Sequence, residues 1–180
     1  VSDHYAYVAD CSNGYHIIDI TDPKIPTKLS TTGYDPHDLE VKDNRLYLFD
    51  FEMKLLVFDL VNPERPVWKA GFYTEAFALT NQFICLIKPA LDKFELTIVD
   101  VTDLENPAFA GKLNFQSDNN NHFEVVAYGD YVYCCIRNKL HIIDISTPED
   151  PVETAVFGLR GSFSRGFEAD SQFLYVPVYG

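Results

Sequence analysis

The sequence predicts an all-β fold in which one short antiparallel unit recurs about four times along 180 residues. Three observations predict it. The residue types favour pleated strands, an Asp-and-Pro motif returns with a period near forty residues, and short apolar runs alternate with polar turns. Aromatic residues form 14% of the chain, with 14 Phe and 11 Tyr against 1 Met, and Val and Ile are frequent. Such side chains fill half-buried pleated surfaces better than helix faces. A hydrophobic content of 47% suffices for a buried interior. The formal charge of −13 argues against nucleic acid or anionic lipid as partner, because both require clustered Lys and Arg, and it is read as a solubility feature.

Four segments align without gaps: 17–26, 57–66, 98–107 and 142–151. In each, an Asp precedes a Pro by seven positions, as Asp19 and Pro26, Asp59 and Pro66, Asp100 and Pro107, and Asp144 and Pro151. The Asp positions are 40, 41 and 44 residues apart, the size of a four-stranded propeller blade. Upstream lie the runs 5–9, 45–49, 83–87, 131–135 and 173–177, centred on Tyr7, Tyr47, Cys85, Tyr133 and Tyr175. Before four of these runs comes another strand, containing Leu39 and Val41, Phe77 and Leu79, Val125 and Ala127, or Phe167 and Ala169. Each ends in a polar turn of hairpin type, Asp43-Asn44, Asn81-Gln82, Gly129-Asp130 or Ser171-Gln172. A unit is therefore four strands, A to D from the inside outward. The predicted fold is a β-propeller domain of about four consecutive four-stranded blades over 1–180. Its units run roughly 1–34, 35–73, 74–120 and 121–162, with the start of a fifth at 163–180.

Turn chemistry explains the landmarks. After strand C, Thr21-Asp22-Pro23 and its counterparts supply a side-chain acceptor and a fixed φ, which reverse the chain. The second Pro lacks an amide donor and belongs where the outer strand D begins. Asp19, Asp59, Asp100 and Asp144 are expected to accept bonds from amides or hydroxyls of that turn, since four equivalent catalysts at one turn would be odd. Cys11, Cys85, Cys134 and Cys135 lack zinc-type spacing, and adjacent strand residues point to opposite faces, so buried free thiols and no metal are expected.

The aromatic-aliphatic strand followed by Ile17-Ile18-Asp19-Ile20-Thr21-Asp22-Pro23 and a second Pro at Pro26 resembles the LVIVD repeat family across nearly the whole chain. The chain departs from the pattern at Leu104 in place of the first Pro, at Cys85 in place of Tyr, and in an insertion around 118–122. The resemblance implies a β-propeller of secreted or cell-surface bacterial proteins, often lipid-anchored and outer membrane-associated, commonly with more than four blades and with no shared catalytic motif. Strand counting adds an expectation. The chain opens on a B strand and closes on an A and a B strand, so an open arc of a larger propeller is predicted, with sequence missing at one or both ends. A start at Val1 in mid-pattern is compatible with a removed leader or anchor.

Function is expected at the B–C and D–A connections, which vary, whereas the A–B and C–D turns at the opposite end are regular. Aligned A strands place His37, Glu75, Phe123 and Arg165 at one level, beside Asp38 and Glu124. Tyr34, Phe51, Tyr73 and Phe163 offer aromatic plates for a protein or glycan. The insertion 117–122, with Asp118 and His122, is rich in oxygen donors for calcium or sugar but lacks the alternating spacing of a calcium loop. Catalytic signatures are missing: there is no Gly-x-Ser-x-Gly, no HExxH and no phosphate-cradling Gly loop. The leading reading is a non-catalytic binding or scaffolding module for a protein or glycan, without cofactor. One alternative is a glycosidase-like hydrolase using Asp38 with Glu75 or Glu124 at the channel mouth. Another is a structural subunit of a membrane-associated assembly, which would expose a large apolar patch. No run approaches the roughly 18 apolar residues that span a bilayer.

Overall fold

The computed structural model describes residues 4–90, 93–116, 123–136, 138–160, 162–163 and 166–179. Apart from a 3-10 turn at Cys11–Asn13, the regular structure of these residues is entirely strand. Sheet I joins β1 (Tyr5–Ala9), β2 (Tyr15–Asp19) and β3 (Thr27–Thr32). Sheet II joins β4 (Pro36–Lys42), β5 (Arg45–Asp50), β6 (Lys54–Asp59) and β7 (Val67–Tyr73). Sheet III contains β8 (Ala76–Leu79), β9 (Phe83–Ala90), β10 (Lys93–Asp100) and β11 (Ala108–Gln116). Sheet IV contains β12 (Phe123–Tyr128), β13 (Tyr131–Ile136), β14 (Lys139–Asp144) and β15 (Val152–Gly158). Each is an antiparallel meander of sequence-adjacent strands, so sheets II to IV carry the order A, B, C, D and sheet I the order B, C, D.

The last stretch departs from the expected continuous B strand over 173–177. Here β16 (Ser162–Phe163) pairs with β19 (Val178–Tyr179), and β17 (Glu168–Ala169) with β18 (Leu174–Tyr175). Between Phe163↔Val178 and Glu168↔Tyr175 one strand runs longer than the other, so the ladder breaks. Pro177 has no amide to give to a ladder and Gly166 sits at φ 102, a left-handed conformation that side chains resist.

The chain forms two compact units, Val1–Tyr73 and Thr74–Gly180. In the first, Tyr7, Tyr15 and Ile17 of sheet I pack on Leu46, Leu48, Phe58 and Leu60 of sheet II. In the second, alternation divides β13 between two interfaces. Val132, Cys134 and Ile136 meet Cys85, Ile87, Leu96 and Ile98 of sheet III, while Cys135, with Leu140, meets Phe167 on the other side. Cys85, Cys134 and Cys135 are thus buried thiols. Burial pushes Cys85 up to about 12 and Cys135 up to about 11, which leaves both unreactive near neutrality. Cys11 departs from the expectation of burial. It lies in the connection between β1 and β2 at φ 43, off the pleated surface, and is exposed. Within the second unit β12 touches β8 on one side and β17 on the other, so its A strands lie side by side.

Candidate functional site

The C–D end of the sheets is built four times in the same way. The carboxylates of Asp19, Asp59, Asp100 and Asp144 each accept the amide of the second residue beyond them, Thr21, Val61, Thr102 or Ser146, at 2.8 Å. The residue after the Asp closes the neighbouring turn: Ile20, Leu60, Val101 and Ile145 donate to the carbonyls of His4, Asn44, Gln82 and Asp130 at 2.7 to 3.0 Å. A second Asx turn follows, in which Asp22, Asn62 and Asp103 accept the amides of Lys24, Glu64 and Glu105. Strand D then begins directly after Pro26, Pro66, Pro107 or Pro151. Where Leu104 replaces the first Pro, the Asn106 side chain donates to Asp103 at 2.9 Å and helps hold the turn.

The opposite end of sheet II is different. Asp50, buried, accepts the amides of Glu52 and Lys54 at 2.9 Å and so pins the B–C connection. That turn presents Phe51 and Met53, 58% and 48% exposed, with Met53 at φ 59. Beside it, the His37 ring lies 4.7 Å from Phe49 and 5.0 Å from Phe51. Tyr73, at the end of β7, is 67% exposed, and the Lys54 ammonium, paired with Glu52, stands 5.7 Å from its ring centroid. A rigid turn therefore displays a cluster of apolar and aromatic side chains edged by a Lys–Glu pair. Alignment of the repeat units singles out His37, and the loop-end aromatics Phe51 and Tyr73 are named with it. Met53 gave no signal, because its exposure follows from the turn that Asp50 holds.

The other predicted site residues are distributed as follows. Tyr34 stacks on Tyr15 at 6.5 Å and meets Phe58 edge-on at 5.4 Å, so much of its ring serves the interface of sheets I and II. Asp38 is exposed on β4 and its carboxylate accepts the Leu39 amide. Glu75 is half-buried just before β8, and desolvation raises its carboxyl above the usual range. Glu124 lies on β12 opposite Cys135, which puts it on the inner strand next to the one Glu75 precedes. Asp118, His122 and Arg165 lie outside the described residues. Among the described residues no group of His, Cys, Asp or Glu is placed to hold a metal ion. No helix among them is long and apolar enough to cross a membrane.

Two further features escaped the sequence reading. A cleft of about 460 Å³ lies between the A–B turns of sheet IV and of β17–β18, lined by Tyr128, Asp130, Tyr131, Tyr133, Asp170 and Phe173 among others. In sheet IV the buried His141 ring holds Glu153 at 2.6 Å and lies 5.3 Å from Phe115. Neither spacing is visible in sequence, because each joins different strands or sheets.

Successive four-stranded meanders with a shared turn motif, with the A strands adjacent within the second unit, define a β-propeller repeat protein. The family model described as LVIVD repeat matches residues 1–31 and 123–157, so the repeat is found in those two segments. Its fold is similar to that of a protein from Lactobacillus plantarum, with a TM-score of 0.71 at 14% identity over 93% of this chain and 58% of that one. It is similar to BamB from Moraxella catarrhalis, with a TM-score of 0.68 at 12% identity over 98% and 52% of the two chains. A candidate 6-phosphogluconolactonase from Bacteroides uniformis gives 0.67 at 13% identity over 87% and 52%. The chain thus spans little more than half the length of these solved structures, and at such identities the likeness is one of fold. No curated protein sequence matches it.

Proposed function

We propose that the chain is a non-catalytic binding or scaffolding module that engages a protein partner through the loop end of sheet II, in a bacterial surface setting. The observation that carries this reading is the exposure of Phe51 and Met53 on a turn pinned by Asp50, with exposed Tyr73 at the end of β7 opposite Lys54. Exposed aromatic anchors on a fixed frame are the usual core of a protein interface, and free monomers seldom leave them together without use. The LVIVD repeats support the surface setting through the kind of protein in which such repeats are expected. The uniform C–D end supports a frame whose variation, and hence recognition, lies at the other end.

The test is capture from a bacterial envelope extract by the purified chain, quantified for wild type, Phe51→Ala, Tyr73→Ala and the turn-end control Glu64→Ala. A partner retained by wild type and by Glu64→Ala is expected to fall at least about tenfold with either aromatic variant, the loss of one interface anchor. Equal capture by all four proteins would remove this end of sheet II as the site.

A further inference from the structure

Outer strands of open sheets carry unpaired amides and carbonyls, and proteins guard them with lysines, prolines or inward charges. Three of the outer strands here follow that rule, with Lys28 on β3, Lys69 on β7 and Lys112 on β11. The fourth does not. β15 reads Val-Glu-Thr-Ala-Val-Phe-Gly, without Lys, Arg or Pro, and lies at the edge of its sheet beside β14. Its one ionisable side chain, Glu153, is drawn to the buried His141 ring at 2.6 Å and so does not screen the edge. All its other residues are exposed, among them Val152, Val156 and Phe157. The register with β14 places Val156 opposite His141, where Lys112 stands opposite Thr97 in sheet III. The guarding lysine of the neighbouring sheet is thus a valine here.

We infer that β15 is an acceptor edge that binds an extended, basic and β-branched peptide segment of a partner protein as an added antiparallel or parallel strand. The backbone row supplies the bonds and the exposed Val and Phe side chains supply alternate contacts. The basic character follows from charge. The chain carries a formal −13, and the exposed Glu149 and Asp150 stand at the start of β15, where a cationic end of the incoming strand is attracted. This strand shares no residue with the loop end of sheet II, and the two are tested independently.

The probe is a fluorescein-labelled, capped peptide Lys-Val-Lys-Val-Thr-Val-Thr, with one analogue carrying Glu for Lys and another carrying Pro at its centre. Anisotropy is expected to show saturable binding of the basic peptide, at least tenfold tighter than either analogue. Hydrogen exchange is expected to show new protection confined to the amides of 152–158. Val156→Lys and Thr154→Lys, which copy the lysine positions of β11 and β7, should each weaken binding at least tenfold with an unchanged far-UV spectrum. Val156→Thr should retain it, which separates loss of the edge from loss of the fold. Absence of binding by wild type, undiminished binding by both lysine variants, or protection elsewhere would overturn the inference. So would concentration-dependent protection of the same amides without peptide, which would make a second copy of the chain the occupant.

Discussion

Asp19, Asp100 and Asp144 owe their depressed carboxyl pKa values first to the hydroxyls of Thr21, Thr102 and Ser146 and then to the amides of the same residues. An Asp in the unfolded chain titrates near pH 3.9, so a lowered native value makes each group stabilising above about pH 4. That stabilisation is lost as pH falls through the native value, when folded and unfolded states both become protonated. Asp100→Ala is accordingly expected to lower the thermal midpoint by a few degrees at pH 7, with the deficit narrowing on acidification below pH ~4. Asp100→Asn keeps an acceptor for the Thr102 amide and should recover most of the loss while flattening the acid dependence. Thermal melts of the three proteins between neutral and acid pH decide this, and a deficit independent of pH would contradict the assignment.

At the level of elements, the four C–D ladders share a feature that no motif announces. Each shifts register at the same place, between Ile17 and Ile18, Val57 and Phe58, Ile98 and Val99, and Ile142 and Ile143. One extra residue on strand D bends it just after the Asp turn, as bulges do at sheet edges. The turn then leans on the preceding sheet of its own unit. Tyr7 donates its hydroxyl to the Pro63 carbonyl at 3.5 Å, and a side chain at Gly111 would overlap the Pro148 carbonyl oxygen. Gly111 is therefore required for close approach, and its replacement must move backbone. Gly111→Ala is expected to cost about 1–3 kcal/mol in denaturant unfolding, the range for an overpacked contact. Gly158→Ala, with open space around it, is the control and should change little. A neutral Gly111→Ala would mean that the turn of sheet IV does not rest there.

Within each of the two units, cohesion comes from apolar faces shared by successive sheets, as expected of repeats that cannot bury their faces alone. Leu96 is wholly buried in the cluster joining sheets III and IV. Leu96→Ala should cost about 2–5 kcal/mol, and hydrogen exchange should rise in β9 and β10 together with β13 and β14. Faster exchange in sheet III alone would show that the two sheets do not share one cooperative core.

The all-β class, the period and the strands of sheets I to IV were legible in the sequence, because side-chain alternation and turn residues act over two to eight positions and leave a local trace. The Asp-to-Pro interval is such a trace, and an Asx turn followed by an outer strand is what it folds into. Relations between distant residues came from the packing of the folded chain: the display of Phe51 and Met53 around Asp50, the His141–Glu153 pair, the exposure of Cys11, and the edge position of β15. Burial and edge position depend on which surfaces meet, and a sum over long-range contacts has no signature in any single stretch of chain.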